Sequence, residues 1–196
     1  MIDELLADYR RLDISEHERG EKFERLMKNF LLAYPEYQGK FSDVWMWNEF
    51  PFRDELGSVD LGIDIVCKTS DGEFWAVQCK FYAETTPISK SAVDTFLATS
   101  SKTFNGQKFT ARLWISTSDN LTDNAEITLQ NQTPPVARIG MEELRNAAVD
   151  WEKLDAGAFG KQAVNNFREP LPHQLDAINS AQIYMWIDRK STRLNS

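Results

Sequence analysis

Residues 61–82 read LGIDIVCKTSDGEFWAVQCKFY, two alternating arms around Ser70, Asp71 and Gly72. Alternation at a period of two predicts two strands joined by a turn. In the first arm Leu61, Ile63, Ile65 and Cys67 fall on one face, and Gly62, Asp64, Val66 and Lys68 on the other. In the second arm Trp75, Val77, Cys79 and Phe81 make an apolar face, opposed by Ala76, Gln78, Lys80 and Tyr82. Opposed residues on paired strands share a face. A three-residue loop with Gly72 at positive φ sets Thr69 against Glu73, Asp64 against Gln78 and Gly62 against Lys80. A two-residue Asp-Gly loop would set Asp64 against Cys79 and scatter the polar set. The three-residue loop, or an equivalent bulge, is therefore expected. Asp64, Gln78 and Lys80 would then share one unpacked face, with the apolar sides in the core.

A carboxylate, an amide oxygen and a lysine on one face suit a particular chemistry. Magnesium takes oxygen ligands, commonly one or two carboxylates with several waters retained. A neighbouring lysine can orient or deprotonate a water and offset charge on a phosphate. Together they fit metal-assisted phosphodiester hydrolysis. The same three residues also fit a solvated polar face with one ordinary salt bridge.

Gly62-x-Asp64 followed by Gln78-x-Lys80 resembles the Mrr-type branch of the PD-(D/E)xK restriction-endonuclease superfamily, which has Gln where most members have an acid. The resemblance covers roughly 20–140, including GEKFERLMKNFL (Gly20 to Leu31) upstream and WISTSDNLTDNA (Trp114 to Ala125) downstream. It implies a restriction-endonuclease-like α/β fold, a mixed central sheet flanked by helices on both faces. It implies a DNA endonuclease dependent on Mg2+ or Mn2+ and acting on double-stranded DNA. On this reading Asp64 is the principal metal ligand, and Gln78 takes the second position with the Cys79 backbone carbonyl. Lys80 is the catalytic lysine, and Glu24 an accessory acid.

Composition bounds these readings. The chain has 196 residues, 42% hydrophobic and 27% charged, enough for one core domain and a remainder. No apolar run approaches a membrane span, and two cysteines on a strand's apolar side make no disulfide framework. A cytoplasmic protein with reduced thiols is expected. The net charge of −8 opposes free-standing DNA binding, which draws on Lys and Arg neutralising phosphates. A nuclease module delivered by other domains of a larger enzyme escapes that objection.

Outside the hairpin, Ile2 to Leu12 reads as an amphipathic helix, and Ser15 with Glu18 as a capping box opening a helix to about Ala33. Phe23, Leu26, Met27, Phe30 and Leu31 form its core stripe, with Glu24 beside them. Ser42 to Phe50 is expected to be a strand. Ser89 caps a helix from Lys90 to about Lys102, and Lys90 is a candidate phosphate contact. Phe109 to Ser116 is a strand, parallel to the second arm because a helix crosses between them. Thr117, Ser118 and Asp119 fit helix capping better than phosphate binding. A helix from Leu121 to Leu129, a strand from Pro135 to Ile139 and a helix from Met141 to Leu154 complete a domain expected over 1–154.

Residues 155–187 read as a linker (Ala156 to Gly160) and the start of a motor. Arg168 to Ile178, REPLPHQLDAI, resembles the stretch that opens superfamily-two helicases, so Gln174 would contact the adenine of ATP if the motor were complete. No GK[ST] phosphate loop follows. Asp188 to Ser196, DRKSTRLNS, matches one reading frame of a common sequencing adapter and is expected to be an artefact without biology. The leading expectation is a nuclease module of a larger ATP-dependent restriction or helicase-nuclease enzyme, with downstream helicase and methyltransferase domains missing. A catalytically silent docking or DNA-positioning module is the alternative, and a junction or repair nuclease on the same fold is a third.

Overall fold

The computed structural model describes residues 1–57, 62–158 and 160–164. Two helices open the chain, α1 (Ile2–Arg11) and α2 (Glu16–Ala33). The capping box that starts α2 is formed: Ser15 Oγ accepts from the Glu18 N–H at 3.2 Å, and Glu18 Oε2 accepts from the Ser15 N–H at 2.8 Å. Such a cap contributes about 1 kcal/mol. The stripe Phe23, Leu26, Met27, Phe30 and Leu31 is buried throughout.

The sheet then assembles from β1 (Phe41–Met46), β2 (Ile65–Thr69) and β3 (Phe74–Lys80), with a short helix α3 (Arg53–Leu56) before β2. Helix α4 (Lys90–Ser100) crosses to β4 (Thr103–Phe104) and β5 (Gln107–Ser116). Helix α5 (Asp123–Leu129), β6 (Val136–Ile139), α6 (Met141–Asn146) and α7 (Trp151–Asp155) follow. The sheet runs β1-β2-β3-β5-β6, with β4 paired to the start of β5. β1-β2 and β2-β3 are antiparallel, while β3-β5 and β5-β6 are parallel, as the α4 crossover requires.

The hairpin register is the expected one. Ile65 opposes Val77 and Val66 opposes Ala76, which carries on to Asp64 beside Gln78. The Thr69 N–H bonds Glu73 O at 2.8 Å, the Gly72 N–H bonds Thr69 O at 2.9 Å, and Gly72 has φ +88°.

Two expectations change. Neither hairpin face is unpacked: Ile65, Cys67, Val77 and Cys79 join a core with α1, α2, α6 and α7. Val66, Ala76 and Phe74 join a second core with α4 and α5. The sheet is a central layer, so polar residues escape burial only where strands end. The alternation also breaks in the first arm. Gly62 has φ +83°, and Ile63 packs with Val66 instead of with Ile65.

Smaller differences have local causes. β1 stops at Met46, where Trp47 turns into a 3-10 segment held by the Glu49 carboxylate on the Met46 N–H at 2.9 Å. The expected last helix is split because Asp150 caps a fresh one, accepting from the Lys153 N–H. Packing on the α2 face continues past it: Ala163 is buried, and Val149 bridges Val164. Leu61, Phe159 and the stretch 165–196, which includes Gln174 and Asp188, lie outside the described residues. No helix among the described residues is long and apolar enough to cross a membrane.

Candidate active site

The site is built at the end of the hairpin away from its turn. Asp64 is pinned through its backbone from both neighbours: its N–H bonds Val77 O at 2.9 Å, and its carbonyl accepts from the Trp47 N–H at 2.7 Å. With the main chain held, the carboxylate has little choice of direction. Asp64 Oδ2 accepts from the Cys79 backbone N–H at 2.6 Å and from the Gln78 amide Nε2. The same Nε2 also donates to the Cys79 carbonyl at 3.2 Å. The Asp64 carboxylate, the Gln78 carboxamide and the Cys79 carbonyl therefore meet around one point, and both side chains are buried.

The glycine before Asp64 makes this possible. A side chain at Gly62 would put Cβ 3.1 Å from Gln78 Oε1 and 3.1 Å from the Phe96 backbone nitrogen. Gly62 thus packs closely against both Gln78 and the backbone of α4. Gln78 Oε1 is buried without a hydrogen-bond partner among the described residues. A buried orphan oxygen is unfavourable and calls for a partner, an ion included.

Lys80 follows Gln78 on the same strand face, half-buried at the end of β3, and makes no ion pair with a described residue. Its carbonyl accepts from the Thr117 N–H at 3.0 Å, in line with the β3–β5 pairing of Lys80 with Ser116. Glu24 is half-buried on α2 and lines the same cleft as Asp64. Three of these groups, Asp64, Glu24 and Lys80, act on the Cys79 thiol. Burial pushes that thiol well above its ordinary value, the charges of Asp64 and Glu24 raise it further, and Lys80 opposes them. Cys79 is therefore a neutral thiol facing the core, and its contribution to the site is its carbonyl.

These donors fit a hard divalent cation. The set is one carboxylate, one carboxamide oxygen and one backbone carbonyl, with Glu24 nearby and room for water, the pattern magnesium favours. Turning the Gln78 amide about its last bond would bring Oε1 in place of Nε2, beside the other two oxygens. No group of three or more His, Cys, Asp or Glu that suits a metal occurs among the described residues.

The cleft has a volume of about 440 Å³, and its walls include Glu24, Arg25, Lys28, Trp47, Asn48 and Glu49. Other expected contacts are engaged elsewhere. Lys90 pairs with Asp94 on the α4 surface. Thr117, Ser118 and Asp119 neither cap a helix nor line the cleft. Ser118 Oγ donates to Glu84 O and Thr86 O, and Thr117 Oγ1 to Tyr82 O, so these two fasten the loop after β3, while Asp119 pairs with Arg138. Thr122 is the cap of α5. Arg25, Lys28 and Glu49 were missed in the sequence, where nothing links α2 to the end of β1.

Residues 33–161 match the Mrr-type family model described as restriction endonuclease, about two-thirds of the chain. The chain belongs to this restriction endonuclease family. No curated protein sequence matches it. A solved structure of similar fold is the ATP-dependent Type ISP restriction-modification enzyme LlaBIII bound to DNA, at 23% identity and a TM-score of 0.62. That match covers 92% of this chain and 11% of the larger one, so the chain spans about a ninth of that enzyme's length. At this identity the likeness concerns the fold, and it agrees with a mixed sheet between two helical layers.

Proposed function

We propose that this restriction endonuclease domain is a DNA nuclease module that cuts phosphodiester bonds with Mg2+ or Mn2+, within a larger ATP-dependent restriction enzyme. The observation that carries the proposal is the convergence of the Gln78 carboxamide and Cys79 carbonyl on the carboxylate of Asp64, a residue that lines a cleft. When bound, the cation supplies Lewis-acid polarisation of the scissile phosphate. Asp64 and Cys79 hold it, and Gln78 joins them by turning Oε1 inward. Lys80 orients the attacking water and opposes the charge that develops on the phosphate. Glu24 steadies the water or the cation from α2. Double-stranded DNA is the substrate, and the reduced thiols of Cys67 and Cys79 suit the cytoplasm.

A silent docking module is favoured by one observation, the net charge of −8. In the wider assignment, residues 155–187 are a linker and the start of a motor, Gln174 would contact adenine if that motor were complete, and 188–196 are adapter sequence. A clean genomic clone that reads past Trp186 into a motor supports this, and one that encodes the same tail and then stops refutes it.

Magnesium titration followed by thermal melting separates the two readings. An active site shows saturable stabilisation that Asp64→Asn abolishes, because a ligand bound only by the folded state raises stability by RT ln(1 + [L]/Kd). A magnesium shift unchanged by Asp64→Asn would sink the assignment.

A further inference from the structure

One face of α2 lines the cleft at helical spacing, with His17, Glu21, Glu24, Arg25 and Lys28 successive along it. At this wall Lys28 is paired with Glu49, and Arg25 lines the same cleft. Lys28 Nζ lies 2.6 Å from Glu49 Oε2, with the Lys28 side chain only 24% exposed. Burial alone would raise the Glu49 carboxyl, yet it is held below its ordinary value by Lys28, the Met46 N–H and the charge of Arg25. Arg25 is itself exposed. An ammonium holding a carboxylate, with a guanidinium on the same wall, offers the charges with which proteins hold a phosphate oxygen. Asp64 lines the same cleft.

We propose that Arg25 and Lys28 form a binding subsite for a backbone phosphate of the DNA duplex, and that Glu49 occupies it as an internal stand-in until DNA displaces it. The subsite rests on the nuclease reading for its place beside Asp64, but its own chemistry needs no metal. It also bears on the acidity of the chain: the cations that a phosphate requires are present, and one is neutralised internally. Because Glu49 also accepts the Met46 N–H, it stays close after displacement and competes for Lys28 whenever DNA leaves. Binding is thereby weakened through a single carboxylate.

The test is fluorescence anisotropy of a labelled DNA duplex with the 196-residue chain in EDTA, across about 50 to 200 mM salt. Glu49→Gln keeps an oxygen for the Met46 N–H and removes the charge. It should bind more tightly than the parent because no carboxylate competes with the phosphate, whereas Lys28→Gln should take roughly 0.9 off the steepness of log K against log salt, the mark of one lost phosphate contact. One such contact changes affinity about three- to fourfold across that salt range. Lys28→Gln and Arg25→Gln should weaken binding, and the gain from Glu49→Gln should vanish in a Lys28→Gln background. Glu152→Gln, an equal charge change on the α7 surface, should leave affinity near the parent value. The subsite is overturned if Glu49→Gln gains nothing, if its gain survives Lys28→Gln, if Glu152→Gln matches it, or if no variant binds at the lowest salt. EDTA keeps the two readings apart: loss of cleavage with the Glu49→Gln gain intact removes the nuclease reading alone, and cleavage without that gain removes the subsite alone.

Discussion

Replacing Gly62 with alanine tests how the site is held open. Gly62 has φ +83°, in the left-handed region that costs an L-residue about 1–2 kcal/mol. The new Cβ would also stand 3.1 Å from Gln78 Oε1, 3.1 Å from the Phe96 nitrogen and 3.2 Å from the Thr95 methyl. The methyl can rotate away, but the helix backbone of α4 cannot retreat without moving its buried stripe. Overpacking of this kind adds about 1–3 kcal/mol. Gly39 supplies the control, since its φ of +76° is similar and nothing lies within 4 Å. Gly39→Ala should therefore show the backbone cost alone, and Gly62→Ala the backbone cost plus the clash. At roughly 2–4 °C per kcal/mol for a chain of this size, the combined cost of about 2–5 kcal/mol should make Gly62→Ala melt about 4–20 °C below the parent. Thermal melting by circular dichroism reads both variants. Equal shifts for the two would refute the close packing of Gly62 against Gln78 and α4.

Asp64→Ala removes the acceptor of the Cys79 N–H and the Gln78 amide in a buried place, so it should cost about 1–3 kcal/mol besides any activity. Asp64→Asn keeps an oxygen for the Cys79 N–H, and Gln78 can turn to accept from the new amide; its denaturant midpoint should stay close to the parent. Arg112 is buried and donates to Ser100 Oγ, Ser101 Oγ and Pro134 O, three acceptors that one lysine ammonium cannot span; Arg112→Lys should destabilise by about 2 kcal/mol in chemical denaturation. Glu49 binds its proton less tightly when folded than when unfolded. Its contribution is complete above the ordinary value of 4.5 and fades as pH falls through the lower folded value. Acid melts of the parent and Glu49→Gln should therefore converge below that value, and curves that stay parallel would contradict the ion pair.

Much of the hairpin was legible because its information is local. Gly72 selects the loop, the loop selects the register, and the register sets Asp64 beside Gln78. The capping residues Ser15 and Ser89 were legible for the same reason, since each cap spans one helical turn. What α4 does was not. Gln78 alternates with apolar neighbours as an exposed residue would, yet α4 covers it, and alternation carries no record of a helix added from elsewhere. The kink at Gly62 was also silent, because a glycine before a strand fits a regular arm as well as a left-handed one. Arg25 and Lys28 look like an ordinary solvated helix face until β1 brings Glu49 against them. Asp150 escaped notice as a cap because the apolar spacing from Leu144 to Trp151 suits one continuous helix.

The most direct measurement is cleavage of supercoiled plasmid DNA by the purified chain, with magnesium or with EDTA, for the parent, Asp64→Asn and Lys80→Ala. The account predicts nicked and linear products only for the parent with magnesium, while all three proteins stay folded. Cleavage by Asp64→Asn at the parent's rate, or by the parent in EDTA, would contradict it.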